Sequence, residues 1–343
     1  MTFNHGLILG KFYPPHLGHL HLIQEGKKKC NHLTVIIASL ANEIIPGWLR
    51  LDWLNKLVMD PDIEIIWIED ENPQYPEEHP DFWQIWKKSI ERVLTSPIDI
   101  LFTSEVYGET LSRILGTKHL SIDKERIQFP ISATKIRTKP LDHWDYIPDL
   151  IKPFFLKKIV LTGPESVGKS TLTSILAEHF QTNFVPEYAR EYLEKKGRSV
   201  IEDDILSIGK GHLLDEIEKS IKANRYLFLD TDHLTTKIYS EFYFKNSPEW
   251  VNERAKNLSY DHSLFLNIDV PWISDPQRDL ENYREEMKFI FQNEMISAGR
   301  PFTLLSGNFM EREKLAIETV KEIGKLPINP DYFTSEQIHL RNV

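Results

Sequence analysis

Eight residues constrain this chain more than any others: Gly163-Pro164-Glu165-Ser166-Val167-Gly168-Lys169-Ser170. They follow an apolar run, Ile159–Thr162, and lead into a helical pattern, Lys169–Phe180. A strand, a loop of the form G-x-x-x-x-G-K-[ST] and a helix in that order predict a cradle for a polyphosphate. Glycines let backbone amides converge on the anion, and the helix N-terminus adds a favourable dipole. Gly163, Gly168, Lys169, Ser170 and Thr171 are therefore the nucleotide-binding candidates. Lys169 is expected to reach the β and γ phosphates of ATP, and Ser170 to hold Mg²⁺.

A second magnesium ligand belongs at the end of a neighbouring strand. Leu227-Phe228-Leu229-Asp230-Thr231-Asp232 is an apolar run ending in carboxylates. Only one of Asp230 and Asp232 is expected to ligate directly. The acceptor belongs at the carboxyl ends of the strands, where Val185-Pro186-Glu187-Tyr188-Ala189-Arg190 stands. Glu187 either accepts a hydroxyl proton or grips a ribose diol, with Tyr188 and Arg190 beside it. Farther on, residues 269–278 read as a lid. Its Arg278 would stabilise charge during phosphoryl transfer, and its Trp272 either stacks on a flat cationic ring or packs.

The first half opens in a similar way. Leu7-Ile8-Leu9 runs into Gly10-Lys11-Phe12-Tyr13-Pro14-Pro15-His16-Leu17-Gly18-His19, then a helix to about Cys30. His16 and His19, three apart, share one helix face, and with Lys11 they can surround a phosphate. Ile131-Ser132-Ala133-Thr134-Lys135-Ile136-Arg137 supplies a further anion site from helix-start amides and a guanidinium.

Apolar runs at 33–38, 63–68 and 98–103, with a short strand expected at 127–129, alternate with helical patterns. Those at 183–185, 226–230, 264–267 and 303–305 do the same in the second half. The pattern predicts an α/β fold of two domains with parallel sheets flanked by helices: a Rossmann-like nucleotidyltransferase fold over residues 1–155 and a P-loop kinase fold over 156–343. Charge supports small-molecule substrates. There are 16 Lys and Arg against 21 Asp and Glu in residues 1–150, and 25 against 30 in the remainder. Neither half is a basic arm, so nucleic acid is not expected as the partner. No run of 18 apolar residues predicts a membrane span, no signal peptide is visible, and a single cysteine, Cys30, fits a reducing cytoplasm.

The HxGH-type and ISxTxIR-type segments together resemble the nucleotidyltransferase superfamily. Followed by a P-loop half carrying PEYAREY, DTD, DVPW and Ser306-Gly307-Asn308-Phe309-Met310-Glu311-Arg312, they resemble the bifunctional NadR family over nearly the whole chain. The resemblance implies two ATP-using reactions. The second half would phosphorylate nicotinamide riboside, with Arg312 among its nucleotide-binding residues. The first half would adenylylate the resulting mononucleotide, NMN, to NAD, releasing pyrophosphate. His16 and His19 would stabilise charge on the α-phosphate, while Lys11, Thr134 and Arg137 hold the leaving pyrophosphate. Residues 104–109 and 123–126 fall where such enzymes keep nucleotide-contacting loops, with Tyr107 and Gly108 by the ribose. Trp83 and Trp86 either stack on nicotinamide or pack. Some family members add an N-terminal helix-turn-helix repressor domain. Here the first strand begins within ten residues of Met1, so the form without it is expected. The resemblance also allows a link to a riboside transporter and assembly into a homo-oligomer. Two rivals remain: another adenylyl- or cytidylyltransferase fused to a different small-molecule kinase, and an NAD- or ATP-sensing regulator.

Overall fold

The computed structural model describes residues 2–340. The chain divides into two compact units, one ending at Ile151 and the other beginning at Lys152.

The first unit runs β1 (Phe3–Gly10), α1 (Leu17–Lys27), β2 (Cys30–Ala38), α2 (Gly47–Leu57), β3 (Ile63–Ile68), α3 (Phe82–Val93), β4 (Ile100–Thr103), α4 (Gly108–Leu115), β5 (Lys118–Ser121) and α5 (Ala133–Thr138). Its strands are all parallel, in the order β3-β2-β1-β4-β5. The centre of β1 is fully buried, because helices cover both faces of a parallel sheet. Strand order reverses at β1, and a ligand crevice opens at such a point, outside the carboxyl ends of the strands. The Gly10 turn therefore stands where a ligand is expected.

The fifth strand lies at Lys118–Ser121, and residues 127–129 are not a strand. Lys118-His119-Leu120-Ser121 is a short, largely polar edge strand, which carries no apolar run to betray it. Residues 127–129 form an irregular loop organised by one carboxylate. Asp123 accepts from the backbone amides of Ile127, Gln128 and Phe129.

The second unit runs β6 (Lys157–Thr162), α6 (Lys169–His179), β7 (Phe184–Val185), α7 (Tyr188–Lys196), α8 (Asp204–Ile221), β8 (Tyr226–Asp230), α9 (His233–Phe244), α10 (Glu249–Asn257), β9 (His262–Leu266), α11 (Arg284–Ser297), β10 (Phe302–Leu305), α12 (Phe309–Gly324) and α13 (Ser335–Leu340). Its order, β10-β9-β6-β8-β7, again puts the first strand at the centre and the loop after it at the reversal point. The strand β6 begins with two buried lysines that an apolar pattern overlooks. Lys157 pairs with Asp261 at 3.0 Å and Lys158 with Glu216 at 2.9 Å. Burying a lysine is tolerable only when its charge is matched. Among the described residues no helix is long and apolar enough to cross a membrane.

Gly108 shows how closely the first unit packs. A Cβ there would lie 2.3 Å from both His119 Nε2 and Thr103 Oγ1, two atoms that hydrogen-bond each other at 2.8 Å. We predict that Gly108→Ala destabilises this unit by about 1–3 kcal/mol, the usual cost of overpacking. Denaturant unfolding checks it, and an unchanged midpoint contradicts it.

Candidate active sites

The first site forms where β1 turns into α1. His16 is the N-cap residue, and its ring nitrogen Nδ1 accepts from the His19 backbone N–H at 3.3 Å. His19 Nδ1 accepts from the His16 backbone N–H at 3.3 Å. With both Nδ1 atoms accepting, a neutral ring carries its proton on Nε2. The rings stack with centroids 3.6 Å apart. Burial, then the Arg126 charge, pulls His16 down to about 3. Burial, then His16 and Arg126, holds His19 well below the ordinary range. Both rings are therefore neutral Nε2–H donors at neutral pH.

Arg137 is joined to this turn through Tyr13. Its guanidinium donates to the Tyr13 carbonyl and lies 4.1 Å from the Tyr13 ring centroid. Arg50 covers the same ring at 4.2 Å. Thr134 Oγ1 accepts from Arg137 at 3.1 Å, and Ser132 caps α5 by accepting from the Lys135 amide. Lys11 pairs with Glu43 at 3.0 Å, and the fully buried Arg50 pairs with the same carboxylate at 2.6 Å. Burial works against that carboxylate's charge, but Arg50 and then Lys11 keep it below the usual range. Tyr13, Glu43 and Arg50 were not anticipated from the sequence. Arg50 sits in a helical pattern where an arginine ordinarily marks the solvent face.

The remaining candidates in this unit also make contacts within the fold. The Tyr107 hydroxyl donates to the Leu9 carbonyl at 2.6 Å, which pins the end of β1. Burial, then Glu105, pushes that phenol up. Gly108 fills the tight space described above and presents no side chain to a ribose. Trp83 and Trp86 are half-buried and pack on the cluster around Leu7, Ile36 and Ile90. The Trp86 indole donates to the Pro73 carbonyl. Gly10 ends β1 against the Phe12 ring, 3.2 Å from where its Cβ would stand.

The second site forms where β6 turns into α6. Gly163 has φ +136° and Gly168 φ +91°, both in the region that favours glycine. A Cβ at Gly163 would stand 2.8 Å from the Leu266 carbonyl oxygen. Lys169 folds over the loop, donating to the Gly163 and Pro164 carbonyls at 3.0 and 2.8 Å. Ser170 and Thr171 line a cavity of about 190 Å³ with Glu187, Arg190 and Arg278. Glu165, Tyr239 and Tyr243 are among the lining residues that escaped sequence reasoning. The first is a variable position of the loop motif, and the tyrosines sit in an unremarkable helical pattern.

Asp230 ends β8 and is 2% exposed. Its Oδ1 has no hydrogen-bond partner. Burial, then Glu187, raises the carboxyl to about 6, against the pull of Lys169 and a hydrogen bond from Ser170. An orphaned carboxylate oxygen beside a hydroxyl suits a hard divalent cation, which needs few protein ligands when phosphates supply the rest.

Asp232 leaves the metal set. It is the N-cap of α9, accepting from the Thr235 amide and hydroxyl, and it pairs with Arg300. The strand has already ended at Asp230, so Asp232 belongs to the start of the helix that follows. Arg312 is also reassigned. It is 1% exposed and donates to the Val167 and Asn267 carbonyls at 3.0 and 2.9 Å, bracing the loop from behind. Tyr188 lies against Gly211, where a Cβ would stand 2.0 Å from its ring. It does not line the cavity, and neither does Trp272, which carries the Arg284 guanidinium 5.8 Å from its ring centroid.

Glu187 precedes α7 without making a capping bond, so its carboxylate is left to the cavity. The 269–278 segment and the residues just after it are tied down at several places. Ile273 N–H donates to Ser166 Oγ at 2.7 Å, and Leu280 N–H to Glu165 at 3.3 Å. Arg190 pairs with Asp275 at 3.0 Å, and Arg278 donates to the Ile273 carbonyl at 3.0 Å.

A family model described as "AAA domain" matches residues 158–312. The chain is 30% identical over 307 residues to the "Trifunctional NAD biosynthesis/regulator protein NadR" of Escherichia coli (strain K12), covering 83% of this chain and 74% of that one. The protein of the same description from Salmonella typhimurium (strain LT2) is 29% identical over 299 residues, covering 81% and 72%. Among solved structures, "NadR protein in complex with NAD and AMP-PNP" superposes with a TM-score of 0.77 at 22% identity, over 95% of this chain and 98% of that one. "NadR protein in complex with NR" does so with a TM-score of 0.75 at 22% identity, over 96% and 98%. These structures share the two-sheet α/β fold, and the sequence likeness to the curated relatives goes further: the chain belongs to the NadR family.

Proposed function

We propose that this chain is a bifunctional enzyme of NAD biosynthesis. In this reading residues 152–343 phosphorylate nicotinamide riboside with ATP, and residues 1–151 join the product NMN to AMP from a second ATP, releasing pyrophosphate. One observation carries it. Each unit turns its buried central strand into a helix through a loop that offers phosphate donors. These are Gly163 to Ser170 in one unit and the neutral His16/His19 pair in the other. Family membership supports the pathway, and the cytoplasm suits a chain with one buried cysteine.

In the kinase half the acceptor occupies the cavity beside Glu187, which takes the 5′-hydroxyl proton as the oxygen attacks the γ-phosphorus. Lys169 swings from its loop carbonyls to the phosphates, and Arg278 covers the transferred group. Ser170 and Asp230 would hold Mg²⁺, whose charge offsets that of the phosphate oxygens. In the adenylyltransferase half the protein supplies no nucleophile. The NMN phosphate attacks the α-phosphorus of ATP. The Nε2–H groups of His16 and His19 donate to the α-phosphate oxygens as charge grows there, and Lys11, Thr134 and Arg137 hold the departing pyrophosphate.

Lys169→Ala is expected to remove riboside phosphorylation and keep conversion of NMN to NAD. His19→Ala is expected to do the reverse. If either change removes both activities from a folded chain, the two-site reading fails. Asp230→Asn lowers riboside phosphorylation at least 100-fold by removing the metal ligand, roughly the loss seen when one charge-stabilising group goes. Retained activity at ordinary magnesium excludes Asp230 as that ligand. Because both histidine pKa values are depressed, the neutral forms persist as pH falls. Ring resonances of His16 and His19 in the free protein should stay fixed by NMR from pH 8 to 5. Movement centred near pH 6.5 would show that the rings charge.

A further inference from the structure

We infer that Phe309 is the stacking platform for the purine base of the phosphoryl donor, and that this site grips the base by its face without reading its edge. The inference rests on the kinase reading of the second unit. Phe309 is the first residue of α12 and is 54% exposed. The ring stands against the phosphate loop: a Cβ on Gly168 would lie 3.1 Å from its Cε1. Gly168 also borders the acceptor cavity, but Phe309 does not line that cavity.

In-line transfer fixes the direction of the donor. The γ-phosphate must face the acceptor, so the α-phosphate and nucleoside leave the loop on the flank away from the cavity. Phe309 occupies the loop outside the cavity. An exposed aromatic face there offers the stacking that any purine accepts.

The polar side chains near Phe309 are each tied into the protein through at least one atom. Asn308 and Glu311 cap each other's backbone amides, at 3.1 and 2.9 Å. Asp269 accepts from the Gly307 amide and from Asn267 Nδ2, each at 2.6 Å. Arg312 points inward to the Val167 and Asn267 carbonyls. The exposed ring face stacks on any purine, so ATP and GTP serve alike.

The test follows phosphorylation of nicotinamide riboside by the full chain, counting all phosphorylated pyridine nucleotides, with ATP or GTP as donor. Wild type should use both with comparable kcat/KM. Phe309→Ala should raise the KM for either donor about tenfold, within the range for losing one base–aromatic stack, and leave the KM for riboside unmoved. Phe309→Trp should restore it. An unmoved KM for ATP in Phe309→Ala overturns the platform, and failure of GTP as a donor overturns the unread edge. If wild type phosphorylates no riboside with any donor, the kinase reading falls and takes the platform with it.

Discussion

Both candidate sites depend on one constraint of backbone chemistry. The first amides of a helix have no partner within it, and a central parallel strand ends in a crevice that no helix covers. Where such a strand turns directly into a helix, unpaired donors face a protected pocket. β1 and β6 are the central strands of their sheets, so the topology makes two anion sites before any catalytic side chain is considered. The two units answer the constraint differently. The second uses glycines with positive φ at Gly163 and Gly168, which bring the loop amides inward. The first has His16 and His19 cap each other's amides with Nδ1, which turns two Nε2–H groups outward.

Burial then sets the charge of each group. The histidines are desolvated and stay neutral, and in the proposed reaction they donate as dipoles while Lys11 and Arg137 carry the positive charge. Arg137 is held by Tyr13, whose ring also carries Arg50. An anion arriving there meets a guanidinium already oriented by packing. In the second unit the same burial, helped by Glu187, raises Asp230 against the pull of Lys169. Asp232, two residues on, has found its compensation in Arg300 and serves the fold.

The legible parts of this chain were those with a local physical cause. The loop at Gly163–Ser170 could be read because only glycine suits its backbone and because strand and helix flank it. The two-sheet α/β fold could be read because buried parallel strands must be apolar. Less legible were features decided by distant partners. Asp230 and Asp232 look alike in sequence, and what separates them is an arginine 68 residues away. Arg312 carries a charge that suggests a phosphate, yet it braces a loop from beneath. β5 is a polar edge strand and left no pattern, and Lys157 hid the start of β6 behind a pairing with Asp261. Tyr239 and Tyr243 became site residues only when the fold placed α9 along the cavity.

The account stands on two independent ATP-using sites in one chain, and product stoichiometry tests that most directly. Wild-type protein given ATP, Mg²⁺ and nicotinamide riboside should release NMN first and NAD later, with one ADP for each NMN or NAD formed and one pyrophosphate for each NAD. Formation of neither NMN nor ADP, or NAD appearing without pyrophosphate, would contradict it.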